Sequence, residues 1–270
     1  MKPWIREWIA ELRVVFALIG VNLRFRLAHR ADFLSSIAAS ALGTAASFAF
    51  LPLLFARAPR LGDWSPAEVV FLYGFSLVPL GLFNSVAMNL YEFPEKVVFE
   101  GRFDRLLLRP QSTMVQVLFD TMRVESIQEC VIGVALVAWA SPRVGIVWGP
   151  GRIFAFVLFT LSGALLYVAI FSALTAASFR FEDRVGVVPP VYNLLNFSRY
   201  PMTIYSIWIR FLLSTVIPFG FASFYPGTRL LGRHDWTPYA MTAPFVSITA
   251  LALASRLWTR EVRRYAGTGT

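Results

Sequence analysis

The chain has 270 residues, of which 57% are hydrophobic, 16% aromatic and only 15% charged, and its mean hydropathy is +0.60. Soluble domains carry about a quarter charged residues, so a water-soluble globular fold is excluded and a multi-pass membrane protein is expected. The net charge of +9 would suggest nucleic acid in a soluble protein, but the bases cluster at the ends of apolar runs, as membrane orientation requires, and no nucleic-acid partner is expected.

Residues 1–30 read as a basic amphipathic helix lying on the cytoplasmic leaflet. Trp4, Trp8, Leu12 and Val15 share one helical face, while Lys2, Arg6, Glu7 and Arg13 lie elsewhere, a pattern that suits a helix at headgroup depth. The apolar run 14–23 is too short to cross a ~30 Å hydrocarbon core, which takes about 20 residues. Arg24, Arg26, His29 and Arg30 follow it at once. A soluble helix packed on a partner is the alternative. The first run long enough to span begins near Phe33, after many charges, so no cleaved leader is expected.

The first span is predicted over 33–56. Ala39, Gly43 and Ser47 recur every four residues, a small-residue face suited to close helix contact, and Pro52 is tolerated near the far end. After a polar turn, Ser65-Pro66-Ala67-Glu68 marks a helix start with proline at the first helical position. The second span, 69–90, carries Asn84 and Asn89. Residues 92–111, EFPEKVVFEGRFDRLLLRPQ, mix acids and bases with apolar residues at helical spacing. A charged loop that keeps an apolar stripe is expected to dock onto something.

The third span, 113–140, is unusually polar. Gln116, Asp120 and Arg123 share one helical face, and Glu125 and Glu129 lie roughly opposite. Asp120 and Arg123 have the spacing to pair within the helix, or else sit at the cytoplasmic interface and snorkel. The two glutamates need a partner elsewhere or a wet cavity. These five residues, with Asn84 and Asn89, are the intramembrane polar candidates for a translocation path.

The fourth span is 153–178, and the last is 239–258. Between them, 185–198 contains Pro189-Pro190, 203–224 contains Arg210 and Pro218, and Arg199-Tyr200-Pro201 separates the two. Counting both gives seven crossings. The basic N-terminal stretch and the tail with Arg256, Arg260, Arg263 and Arg264 both belong on the cytoplasmic side, so one piece does not cross and six spans result. Hydropathy alone selects 203–224 as the crossing piece. Cys130 is the only cysteine, His29 and His234 lie far apart, and no GxxxxGK[ST] occurs. No catalytic residue, metal site or phosphate-cradling loop is therefore expected in this chain.

Three stretches carry a family resemblance: EGRFDRLLLRP at 100–110, NFSRYP at 196–201 with Ile204-Tyr205, and IPFGFASFYP at 217–226 ending at Leu230-Leu231-Gly232. With the order of spans they make the chain similar to bacterial permeases of the ABC-2 superfamily. The resemblance implies an all-α, six-span fold of the type V exporter kind over 31–270, in the bacterial plasma (inner) membrane with both termini cytoplasmic. It implies a cytoplasmic coupling helix within 92–111 that contacts an ATPase through Phe99, Gly101, Phe103, Asp104, Leu107, Arg109 and Pro110. Phe99, Phe103 and Leu107 would be its apolar anchors. It also implies an extracellular re-entrant region at 201–238, making 184–200 the fifth span, with Arg199, Tyr200, Pro201, Arg210 and Pro218 as gate residues. ATP and Mg would sit on a dimer of partner ATPase subunits and not on this chain, and a second permease subunit, identical or related, would complete the path. The implied function is export of a hydrophobic or amphipathic substrate by alternating access. The alternatives are a proton- or ion-coupled secondary transporter working through Asp120, Glu125 and Glu129, and a non-transporting assembly subunit.

Overall fold

A computed structural model describes residues 15–22, 24, 26, 28–57, 59–93, 103–109, 111–181 and 187–265. In chain order the helices are α1 (Arg30–Arg57), α2 (Pro66–Ala87), α3 (Asn89–Phe93), α4 (Phe103–Leu107), α5 (Thr113–Phe119), α6 (Ile127–Ala140), α7 (Pro150–Phe181) and α8 (Val188–Ser198). They continue with α9 (Ile207–Phe211, extended by a π turn to Val216), α10 (Phe219–Ala222), α11 (Phe224–Leu230) and α12 (Thr237–Val262). Among the described residues, five helices are long and apolar enough to cross a membrane: α1, α2, α6 with its flanking turns (Val124–Val144), α7 and α12. The segments Ile207–Val216 and Phe219–Leu230 meet the same test as a pair but are bent by 70° at Pro218.

Helix α2 is the centre of the bundle. Its apolar window is 89% buried, against 6% for α1. It opens with the expected cap: Ser65 and Glu68 form a reciprocal capping box with Pro66 at the first position, which satisfies the free amides of the first turn. Glycines then let neighbours approach. A Cβ on Gly74 would lie 2.7 Å from Leu136 Cβ and 2.9 Å from the Gly133 carbonyl, and one on Gly81 would lie 2.7 Å from Cys130 Sγ. Lipid supplies no hydrophobic drive between helices, so this near-contact of the α2 and α6 backbones supplies the packing that holds them. On α7, a Cβ on Gly163 would meet the Ala222 carbonyl at 2.4 Å, which brings the bent segment hard against that helix.

The two ends of the bundle are built differently. At one end, the Trp64 indole donates to Thr203 Oγ1 at 2.8 Å, and the Arg233 guanidinium lies 3.8 Å from the centre of the Trp64 ring while pairing with Glu68 at 2.8 Å. At the other end, Phe93 of α3 meets Phe103, Phe179 and Trp258 at ring-centre distances of 5.8, 5.5 and 5.5 Å. The ends of α3, α7 and α12 therefore converge there, with α4 wedged among them.

The third predicted span is not one helix. Helix α5 stops at Phe119, residues 120–123 are irregular, and a single 3-10 turn, Val124–Ser126, leads into α6. An interrupted helix must find partners for the backbone groups it frees, and groups distant in sequence supply them. The Asn89 amide donates to the Val117 and Leu118 carbonyls at 3.0 and 3.4 Å, and the Asn22 amide to those of Phe119 and Asp120 at 3.5 and 3.4 Å. Asn22 Oδ1 accepts from the Met122 N–H at 3.2 Å, and the Arg123 N–H donates to the Ser85 carbonyl at 3.0 Å.

Candidate functional site

The break in the third span redistributes its polar residues. Gln116, Asp120 and Arg123 no longer share a helical face, and the Asp120–Arg123 pair expected within the helix does not form, because Arg123 turns to Glu92. Glu125 pairs with Arg26 of the N-terminal segment at 3.4 Å. Gln116, 2% exposed, donates to the carbonyls of Leu106 and Gln111 at 3.3 and 3.0 Å. It therefore braces the end of α4. Asn89, too, is spent on the backbone of α5.

Asn84 and Glu129 form a separate polar group inside the bundle. The Asn84 amide donates to Glu129 Oε2 at 2.9 Å, and the Tyr192 hydroxyl donates to Asn84 Oδ1 at 3.0 Å. One hydrogen-bonded chain thus ties α2, α6 and α8 together through Asn84, whose buried amide is costly to leave without partners. Asn84 is 4% exposed.

The short helix α4 carries the expected docking residues. Phe103 is fully buried, with its ring centre 4.8 Å from that of Phe179 and 5.1 Å from that of Tyr265. An anchor expected to face a partner is thus enclosed by its own chain. Periodicity alone cannot separate these outcomes, since the same spacing serves either surface. Leu107 and Leu108, 44% and 86% exposed, are the apolar residues left outward. Asp104 is half-buried and Arg109 exposed. Phe99, Gly101 and Pro110 lie outside the described residues.

The expected gate residues divide between two places. Tyr200 sets its ring 6.2 Å from Tyr73, and the Arg199 guanidinium lies 5.8 Å from the centre of the same ring; Pro201 begins the turn that leads to Thr203. Arg210 donates to the carbonyls of Thr203 and Tyr205 at 3.3 and 3.5 Å. Pro218 stands at the 70° bend, and the adjacent Phe219 ring lies 5.8 Å from Tyr167. Sequence reasoning missed Asn22, Glu92 and the ring partners of Phe103. Asn22 did carry a signal, as the one polar residue in the run 14–23, where an isolated polar group needs a partner.

Membrane-length helices around a largely buried central one, linked by interior hydrogen bonds, define a polytopic α-helical membrane protein. A family model described as ABC-2 family transporter protein matches residues 41–269, and the chain belongs to that family. It is thus a membrane component of ABC-type transport. No curated protein and no solved structure matches it.

Proposed function

We propose that the chain is the permease subunit of an ATP-driven exporter, powered by separate ATPase subunits that press on the 92–111 region. The observation that carries this reading is the division of labour on α4. Phe103 is enclosed by rings from α3, α7 and the end of α12, while Leu107 and Leu108 next to it are exposed. The outward leucines offer an apolar contact to a partner, and the enclosed phenylalanine passes the displacement to three span ends. Asp104 flanks the contact and orients it by charge.

The Phe93 end is assigned to the cytoplasm. It carries Arg26, Arg105, Arg109 and the arginines at the end of α12, as the positive-inside rule requires. The sixth crossing is α8 with the turn that follows. Tyr192 meets Tyr91 and Asn84, Tyr200 meets Tyr73 and Thr203 meets Trp64, so this stretch follows α2 from one end to the other. Thr203 and Arg233, which flank the bent segment, both meet Trp64, which supports a re-entrant hairpin that enters and returns on the outer side. The open Ala39/Gly43/Ser47 face of α1 takes the second permease subunit, and the path between subunits takes a hydrophobic or amphipathic substrate.

The test is co-purification of the chain with an ABC ATPase encoded beside it, followed by ATPase assay in proteoliposomes. Leu107→Asp/Leu108→Asp should fold as wild type but lose both ATPase retention and its stimulation. Full retention by this variant overturns the docking model, and transport that persists without ATP overturns the ATP-driven reading.

A further inference from the structure

We propose that a cavity at the Phe93 end, separate from the outward face of Leu107 and Leu108, binds the phosphate group of an anionic phospholipid through Arg105 and Arg109. The cavity has a volume of 590 Å³, enough for a lipid headgroup and far more than a single ion needs. Its walls come from the N-terminal segment, α3, α4 with the turn after it, and the broken stretch of the third span.

The charges lining it do not cancel. Arg26 is engaged with Glu125 and Arg123 with Glu92. Arg105 and Arg109 are exposed, four residues apart, and line the cavity with no side-chain hydrogen bond or ion pair among the described residues. Against them stands Asp120, an exposed carboxylate likewise without a side-chain partner among the described residues. Two guanidiniums facing one carboxylate leave a net positive site. Guanidinium forks match phosphate oxygens two at a time.

The location supplies the lipid. Phe16 and Val21, on the N-terminal segment that supplies one wall, are 69% and 65% exposed, as residues touching the apolar border of a bilayer are. The cavity therefore opens at headgroup depth, where basic pockets between span ends receive anionic lipids. A lipid held there would bridge α4 to the N-terminal segment, so the composition of the leaflet would set how firmly α4 is held.

The test uses the full chain in neutral detergent, with phosphatidylglycerol, phosphatidylcholine and inorganic phosphate as probes, read by native mass spectrometry and thermal unfolding. Phosphatidylglycerol should be retained and should raise the unfolding temperature, and phosphatidylcholine should do neither. Arg105→Gln/Arg109→Gln should cut retention by about tenfold without changing unfolding in phosphatidylcholine. Arg256→Gln/Arg260→Gln makes the same change of charge outside the cavity and should leave retention as in wild type. Asp120→Asn should raise retention by about threefold. Equal losses in the two arginine pairs, wild-type retention in Arg105→Gln/Arg109→Gln, or stabilisation by inorganic phosphate equal to that by phosphatidylglycerol would each overturn the proposal. Should Arg105→Gln/Arg109→Gln not fold, Asp120→Asn decides alone: unchanged or lower retention overturns the site.

Discussion

Tyr192 of α8 donates its phenolic hydrogen to Asn84 Oδ1 of α2 at 3.0 Å, and the amide of that same asparagine donates to Glu129 of α6. The two links are not equivalent. Tyr192→Phe removes one neutral hydrogen bond inside a membrane protein and is expected to cost about 0.6 kcal/mol, with an upper bound of about 1.7 kcal/mol. Asn84→Leu should cost more, because it strips the half-buried Glu129 carboxyl group of its donor and the phenol of its acceptor together. Chemical unfolding in detergent measures both, and a larger loss for Tyr192→Phe would contradict this network.

The environment of Phe103 makes a contrast with Leu108. Phe103→Ala empties a space walled by aromatic rings and should cost about 3–5 kcal/mol, seen as a large fall in unfolding temperature. Leu108→Ala, at a position 86% exposed, should stay within about 0.5 kcal/mol of wild type. Equal effects at the two sites would show that Phe103 is not enclosed in the protein as it stands in a bilayer.

Three glycines separate packing from mere composition. Gly133→Ala brings a methyl within 2.6 Å of the Gly74 carbonyl, whereas Gly43 has nothing within 4 Å of the corresponding position. The first substitution forces α2 and α6 apart and should destabilise by about 1–3 kcal/mol. Gly74→Ala should behave likewise. Gly43→Ala should leave the single chain at least as stable as wild type, given the helix preference of alanine. Thermal melts of the three variants side by side check the ordering.

The sidedness of the bundle can be read with single cysteines in a Cys130→Ala background. A membrane-impermeant maleimide should label His234→Cys on intact cells and Leu108→Cys only after permeabilisation. The reverse pattern would place α4 outside the cell, away from any ATPase.

Local signals in this chain were readable and distant ones were not. The start of α2 follows from four consecutive residues, Ser65 to Glu68, and the capping box forms as their chemistry dictates. The length and apolarity of α1, α7 and α12 are likewise plain in the sequence. The interruption at 120–123 was hidden, since the residues that stabilise it, Asn22 and Asn89, are remote in sequence and make the break affordable only once the chain has folded. Arg123 illustrates the same point: Asp120, three residues back, has the helical spacing to pair with it, and its actual partner is Glu92. For Phe103 the stripe was read correctly as apolar and assigned to a partner's surface, because nothing in spacing says whose surface an apolar face will meet.

The enclosure of Phe103 has a bearing on how the chain can deform. Phe93 of α3, Phe179 of α7 and Tyr265, three residues past α12, close on one side chain, so a push on α4 would be felt by α3, α7 and the segment after α12 at once. Helix α1 stands outside that arrangement, fastened to α6 by the Gln128 amide, 3.0 Å from Ser40 Oγ and 3.3 Å from Thr44 Oγ1. Under the proposed docking of an ATPase on α4, the molecule would divide into a driven block and a lightly moored strut, and the seam along which it would part runs past Gln128.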